Sequence, residues 1–210
     1  MNLPTKITFS RIIAIVIMII ALFIMSLIDF VSPELGNTRI NVVFLIIFVF
    51  FVVASYTDHL DGHLARKNNQ VTDLGKFLDP VADKLLINSM LIFLAVPYAF
   101  RYAQGQTAII SVWCVIIMVA RDIVVDALRF IAAQKNVVIA ANIFGKMKTV
   151  FQMVAISLVL LNDFPFHYMY PDNTNPYITV TAFVVYIATA VSAISGIIYV
   201  IQNKKVFKGE

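Results

Sequence analysis

Four of the twelve acidic residues in this 210-residue chain fall within one stretch of 26: Asp58, Asp61, Asp79 and Asp83. Asp58 and Asp61 are spaced i, i+3, and Asp79 and Asp83 i, i+4, so on helices each pair shares a face. Two consecutive helices with a short connection are antiparallel neighbours, and the two faces can meet. Four converging carboxylates repel one another unless something cationic sits between them. Hard oxygen donors in this number suit Mg²⁺ or Mn²⁺, and four can hold a pair of ions. Gly62 follows Asp61 directly and Ala65 lies a turn beyond it, small side chains that let a bulky ligand approach the backbone. Arg66 comes next, shaped to bind phosphate or pyrophosphate through two parallel hydrogen bonds. Gly75, four residues before Asp79, serves a close approach or a turn. Acids for metal, a floor of small residues and an arginine for phosphate are the parts of a phosphoryl-transfer site. A lone aspartate at a helix end is ordinarily just solvated, and Asp73, off both faces, is read that way.

These pairs need elements that hold them at one level. Sixty per cent of the chain is apolar, only 13% is charged, and the mean hydropathy is +0.88. A soluble domain needs roughly a quarter charged residues to cover its surface. The reading is an all-α integral membrane protein; a soluble enzyme, a disordered tail and a secreted disulfide scaffold are excluded together. Cys114 is the sole cysteine, so no intramolecular disulfide is available. The net charge of +4 is small, and no nucleic-acid partner is expected.

A span takes about 20 mostly apolar residues. Six stretches qualify or nearly qualify: 12–28, 40–56, 85–100, 108–125, 150–161 and 178–201. The fifth is short, and its helix is expected to begin near Asn142, with Lys146 and Lys148 on its cytosolic end. The helix entering the third span is expected to start near Leu74, with Pro80 in its first turn, where a missing N–H costs little. With six spans and both termini on one side, only Arg39 and Arg101 of the 16 basic residues fall on the other side. Positive charge concentrates on the cytosolic face, so both termini are placed there. Segment 163–175, with Asp163, Pro165, Pro171 and Asp172 but no basic residue, reads as an external loop. The first span has no small-residue cleavage site after it and is expected to be retained. Residues 1–210 then form one multi-pass domain with its active site at the cytosolic side, in what is expected to be a bacterial cytoplasmic membrane.

The acidic cluster carries a resemblance. Asp58-His-Leu-Asp61-Gly62-His-Leu-Ala65-Arg66, eight residues, then Gly75-Lys-Phe-Leu-Asp79-Pro-Val-Ala-Asp83 resembles the CDP-alcohol phosphotransferase signature, D-x2-D-G-x2-A-R-x8-G-x3-D-x3-D. All eight fixed positions are present at full spacing, and the six-span topology extends the likeness over nearly the whole chain. The resemblance implies transfer of a phosphatidyl-type group from a CDP-linked donor to an alcohol, with release of CMP. It implies that Asp58, Asp61, Asp79 and Asp83 surround two divalent cations, Mg²⁺ or Mn²⁺. It makes Asp83 the base for the acceptor hydroxyl and lines the CDP site with Gly62, Ala65, Arg66 and Gly75.

The acceptor must be read elsewhere. Arg121, Arg129, Lys135, Lys146 and Lys148 form a second cluster, and some of them are ordinary cytosolic-side positive charges. Arg121 follows the apolar run 112–120 and is expected to be partly buried, where it wants an anion. Asp122 or Asp126 could supply it, or a substrate phosphate could. Arg121, Lys146 and Lys148 are the candidates for an acceptor phosphate. The opening Asn2-Leu-Pro4-Thr5-Lys6-Ile-Thr8-Phe-Ser-Arg11, Arg121-Asp122 and Gly145-Lys146-Met-Lys148-Thr149 resemble one bacterial branch of the family, whose substrates are CDP-diacylglycerol and sn-glycerol 3-phosphate. From the residues alone, Pro4 and Thr5 read as a turn and cap, and Lys6 and Arg11 as headgroup contacts.

Other readings compete. Inositol phosphate or serine could replace glycerol 3-phosphate within the family. A small cation transporter could use the same carboxylates, but it needs a polar path to the far face, and spans one, two, three and six carry almost no ionisable residues in their middles. His59 and His63 are spaced i, i+4 like zinc ligands yet lack a third ligand in pattern. Gly196 in the last span permits a close helix contact, as in a homodimer.

Overall fold

Continuous apolar runs leave the backbone one way to satisfy its polar groups away from water, which is to bond within each segment as helix. The structure is a computed structural model. It describes the backbone of residues 3–28, 32–36, 38–67, 73–96, 108–135, 143–169 and 175–204, and the side chains of these except 3–4, 58–67, 73–74 and 76–77. Among the described residues there are six α-helices and no strand: α1 Leu3–Leu27, α2 Val42–Lys67, α3 Asp73–Ala95, α4 Val112–Gln134, α5 Ile143–Leu160 and α6 Val180–Gln202.

The helix starts follow local chemistry. Asn41 Oδ1 accepts from Val43 N at 2.9 Å and Phe44 N at 3.3 Å, and Thr179 Oγ1 accepts from Ala182 N at 3.1 Å. Each thereby satisfies N–H groups that the first turn of a helix leaves unpaired. The fifth helix begins at Ile143, as its lysines require, and the third at Asp73. Pro80 departs from expectation: with the helix starting at Asp73 it lies inside the helix rather than in its first turn. The first-turn reading stretched one turn over too many residues, and the helix forgoes one internal hydrogen bond there. The fourth helix runs on past its apolar stretch to Gln134, which carries Arg121 and Arg129 on continuous helix.

The bundle has two halves. α6 packs along α5 and α4, α1 packs along α3 and α2, and α3 joins the halves by touching α4 and α5. Phe44, Phe51, Met90, Leu91, Leu94, Met118, Ile156 and Leu160 fill the interior. The exterior is apolar too, with Ile17, Phe23 and Leu27 exposed on α1 and Trp113, Ile123 and Phe130 on α4. A surface of this kind suits surrounding lipid rather than water. Among the described residues, three helices are long and apolar enough to cross a membrane: Thr5–Leu27, Ile143–Leu160 and Val180–Gln202. The apolar part of α2, Val42–Thr57, is shorter.

At the end of the bundle where α5 stops, Asn162 and Asp163 take positive φ values of 53° and 61°. That turn ties three connections together. Asn162 Nδ2 donates to Arg39 O at 3.0 Å and its Oδ1 accepts from Ala108 N at 3.0 Å. Asp163 Oδ1 accepts from Thr181 N at 2.9 Å and from the Thr181 hydroxyl. Asp163 is therefore buried and structural. The opposite end of the bundle holds the C-terminal end of α2 and the N-terminal ends of α1, α3 and α5.

Candidate active site

α3 carries two of the four carboxylates described side chain by side chain. Asp79 is half-buried, and its Oδ1 accepts from the Thr8 hydroxyl of α1 at 2.9 Å. Asp83, one turn further on, lines a cavity of about 230 Å³ with Lys84, Arg121, Asp122, Asp126, Arg129, Lys146 and Lys148. Asp58 and Asp61 sit on the last turns of α2, the helix before α3, but their side chains lie outside the described residues, as do those of Gly62, Ala65 and Arg66. Gly75 is half-buried in the first turn of α3. Among the described residues no three acids, histidines or cysteines group as metal ligands.

The cavity opens between α3, α4 and α5, with Tyr199 of α6 at its wall. Five cations face three carboxylates there, and the pairing among them is unequal. Lys148 is buried, and its Nζ donates to both oxygens of Asp122, at 2.6 and 2.7 Å. Lys84 pairs with Asp126. That pair is more than a third exposed and adds little stability. Arg121 donates from Nη1 to Asp122 Oδ1 at 3.0 Å and from Nη2 to the Ser195 hydroxyl. Its Nε is buried without a partner among the described residues.

Arg129 donates from Nε to the Tyr199 hydroxyl at 2.7 Å, with its guanidinium 5.2 Å from that ring's centre. Neither Arg129 nor the exposed Lys146 has a carboxylate partner among the described residues. The surplus positive charge fits a small dianion such as a phosphate monoester, which carries about −1.5 to −2 at neutral pH. Of the residues read as phosphate ligands, Arg121 and Lys146 retain donors for that task, whereas the Lys148 charge is held by Asp122.

Close approach explains where Arg121 lies. A Cβ at Gly196 would come within 2.7 Å of Arg121 Cγ, so the glycine makes room for the arginine stem. At Gly145 the nearest arginine atom would be 3.9 Å away, an ordinary contact.

A family model described as CDP-alcohol phosphatidyltransferase matches residues 1–201. The chain belongs to that family. It is 41% identical over 165 residues to the CDP-diacylglycerol–glycerol-3-phosphate 3-phosphatidyltransferase of Bacillus subtilis strain 168, covering 79% of each chain. It is 36% identical to the protein of the same name from Mycoplasma pneumoniae, over 99% of this chain and 89% of the relative. For the one from Rickettsia bellii the identity is 32%, over 98% of this chain and 97% of the relative.

The family generally works with divalent metal ions, and the donor set of this CDP-alcohol phosphatidyltransferase fits them. Asp79 and Asp83 are hard oxygen donors on one face of α3, and Asp79 has a neutral hydroxyl on Oδ1, which fixes the carboxylate without cancelling its charge. Sequence reasoning passed over three groups that the fold brings in. Thr8 arrives from 71 residues away, Ser195 from 74 and Tyr199 from 70. A hydroxyl carries no charge pattern to mark it; only the recurrence of threonine at positions 5 and 8 of a basic helix start hinted at the first.

Proposed function

We propose that this chain transfers the phosphatidyl group of CDP-diacylglycerol to sn-glycerol 3-phosphate, giving phosphatidylglycerophosphate and CMP. The observation that carries the reading is the cavity in which Asp83 stands beside Arg121, Arg129 and Lys146. A carboxylate for the acceptor hydroxyl and cations for a phosphate on the same small molecule are what a phosphorylated alcohol requires. The names of the relatives support the same substrates.

Asp58, Asp61, Asp79 and Asp83 would hold two divalent cations, Mg²⁺ or Mn²⁺, which would supply positive charge to stabilise the departing CMP. Gly62, Ala65, Arg66 and Gly75 would line the CDP site. Arg121, Lys146 and Lys148 form the basic wall for the acceptor phosphate, with Lys148 acting through Asp122. Asp83 takes the proton from the acceptor hydroxyl. The hydroxyl oxygen then bonds to the phosphorus that carries the diacylglycerol, and the bond from that phosphorus to the bridging oxygen breaks with CMP leaving.

Residues 1–210 act as one domain of six spans in a bacterial cytoplasmic membrane, with both termini and the site on the cytosolic side. There the polar substrates arrive from water and the acyl chains from lipid. Gly196 is taken up by Arg121 of its own chain, so a homodimer of this protein would pair through another face.

The test is CMP release by purified protein with CDP-diacylglycerol and Mg²⁺, comparing glycerol 3-phosphate with glycerol, serine and inositol phosphate. Release that requires glycerol 3-phosphate is expected. Release with only another alcohol overturns the acceptor, and no release with any of them overturns the enzyme reading in favour of transport.

A further inference from the structure

The opening turns of α1 present a polar seam. Thr5, Thr8 and Arg11 recur at three-residue spacing and are 3%, 1% and 6% exposed. They face inward on a helix whose later turns are apolar and which packs along α3. A buried hydroxyl costs free energy unless it is hydrogen-bonded, and valine would fill the same volume without that cost. The hydroxyl of Thr8 has a specific use, because it donates to Asp79 Oδ1 at 2.9 Å. Asp79 Oδ2 has no partner among the described residues.

We propose that Thr8 is a positioning residue for Asp79, fixing the carboxylate so that its second oxygen is presented to a divalent cation. The proposal rests on the reading of Asp79 as a metal ligand. A threonine is suited to the task in a way a lysine is not. The Lys148 ammonium neutralises Asp122 in the same bundle end, whereas a neutral hydroxyl orients a carboxylate and leaves its charge for the cation. Partners that orient a ligand in this way are typically worth about 10–100-fold in metal affinity. The first helix thereby contributes to the site through Thr8, whose burial is accounted for by its bond to Asp79.

The test uses the full-length protein in detergent, without substrate, with Mn²⁺ affinity read from the free-ion electron paramagnetic resonance signal. Thr8→Val is expected to weaken Mn²⁺ binding about 10–100-fold and to raise the Mn²⁺ concentration for half-maximal CMP release in proportion. Its melting temperature without metal should remain near that of the unmodified protein. Thr8→Ser, which restores the hydroxyl, is expected to bind Mn²⁺ normally. Should Thr8→Val fail to fold, Thr8→Ala in the same assay decides. Unaltered Mn²⁺ affinity in the variant lacking the hydroxyl, while Asp79→Asn loses it, overturns the proposal and leaves the metal reading standing. Unaltered affinity in Asp79→Asn as well overturns both.

Discussion

The Lys148 ammonium donates to both carboxylate oxygens of Asp122, at 2.6 and 2.7 Å, and so links α5 to α4. The two helices lean on α6 rather than on each other, and the cavity beside Asp83 opens between them. The pair therefore spans the gap that forms the site, and it also takes one of the carboxylate oxygens on which Arg121 rests.

Both members of that pair are buried, so removing one strands the other. Breaking a buried pair costs about 3–5 kcal/mol. Lys148→Met or Asp122→Leu alone is expected to lower the melting temperature in detergent markedly, and the double change is expected to recover much of the loss. A double variant destabilised by the sum of the two single losses would show that the charges are not coupled.

Gly196 tests how Arg121 is held. Because an added Cβ would fall 2.7 Å from Arg121 Cγ, Gly196→Ala is expected to push the guanidinium off Ser195 and Asp122. Losing one charged hydrogen bond, about 1.5–3 kcal/mol, should raise the KM for glycerol 3-phosphate by tenfold or more. Arg121→Ala should do the same or more, with the KM for CDP-diacylglycerol changing far less in both. Equal effects on the two substrates would place Arg121 outside the acceptor site.

Arg129 and Tyr199 form a second adjustable clamp. Tyr199→Phe keeps the ring under the guanidinium but removes the hydroxyl acceptor. A neutral-acceptor bond to a charged donor is worth about 1.5 kcal/mol at the low end, so an increase of roughly tenfold in the acceptor KM is expected, and Arg129→Gln should exceed it. Steady-state kinetics that vary each substrate in turn would separate this from a loss of folded protein.

His167 lies at the other end of the bundle, outside the helices that could span a membrane. It is buried, and neither ring nitrogen has a partner among the described residues. Burial holds its pKa below the usual 6.5, the positive charge of Arg39 adds to this, and Asp163 opposes it in part. The folded protein therefore keeps the ring neutral where the unfolded chain would take up a proton. The resulting stability is fully present above pH 6.5 and is lost as pH falls through that value toward the depressed folded pKa. Thermal melts from pH 7.5 to 5 should show a decline that is smaller in His167→Asn. Parallel curves would assign the acid sensitivity to other groups.

Much of the candidate site could be read without a fold because its chemistry is local. Asp58 and Asp61 on one helix and Asp79 and Asp83 on the next are each separated by about one turn, so helical geometry alone puts each pair on a face. Hydropathy likewise marked the six described helices, because an apolar segment away from water must satisfy its own backbone. What could not be read was which distant side chain meets which. Arg121 had two neighbouring acids and a substrate to choose from, and the fold gave it Asp122 and Ser195 while Asp126 went to Lys84. Lys148, alike in sequence to the other lysines, is neutralised by Asp122, and Arg129 is left facing the cavity on the ring of Tyr199. Spacing along a helix decides which residues share a face. Only packing decides what that face meets, and the bonds from Thr8 to Asp79 and from Arg129 to Tyr199 each close over some 70 residues of chain.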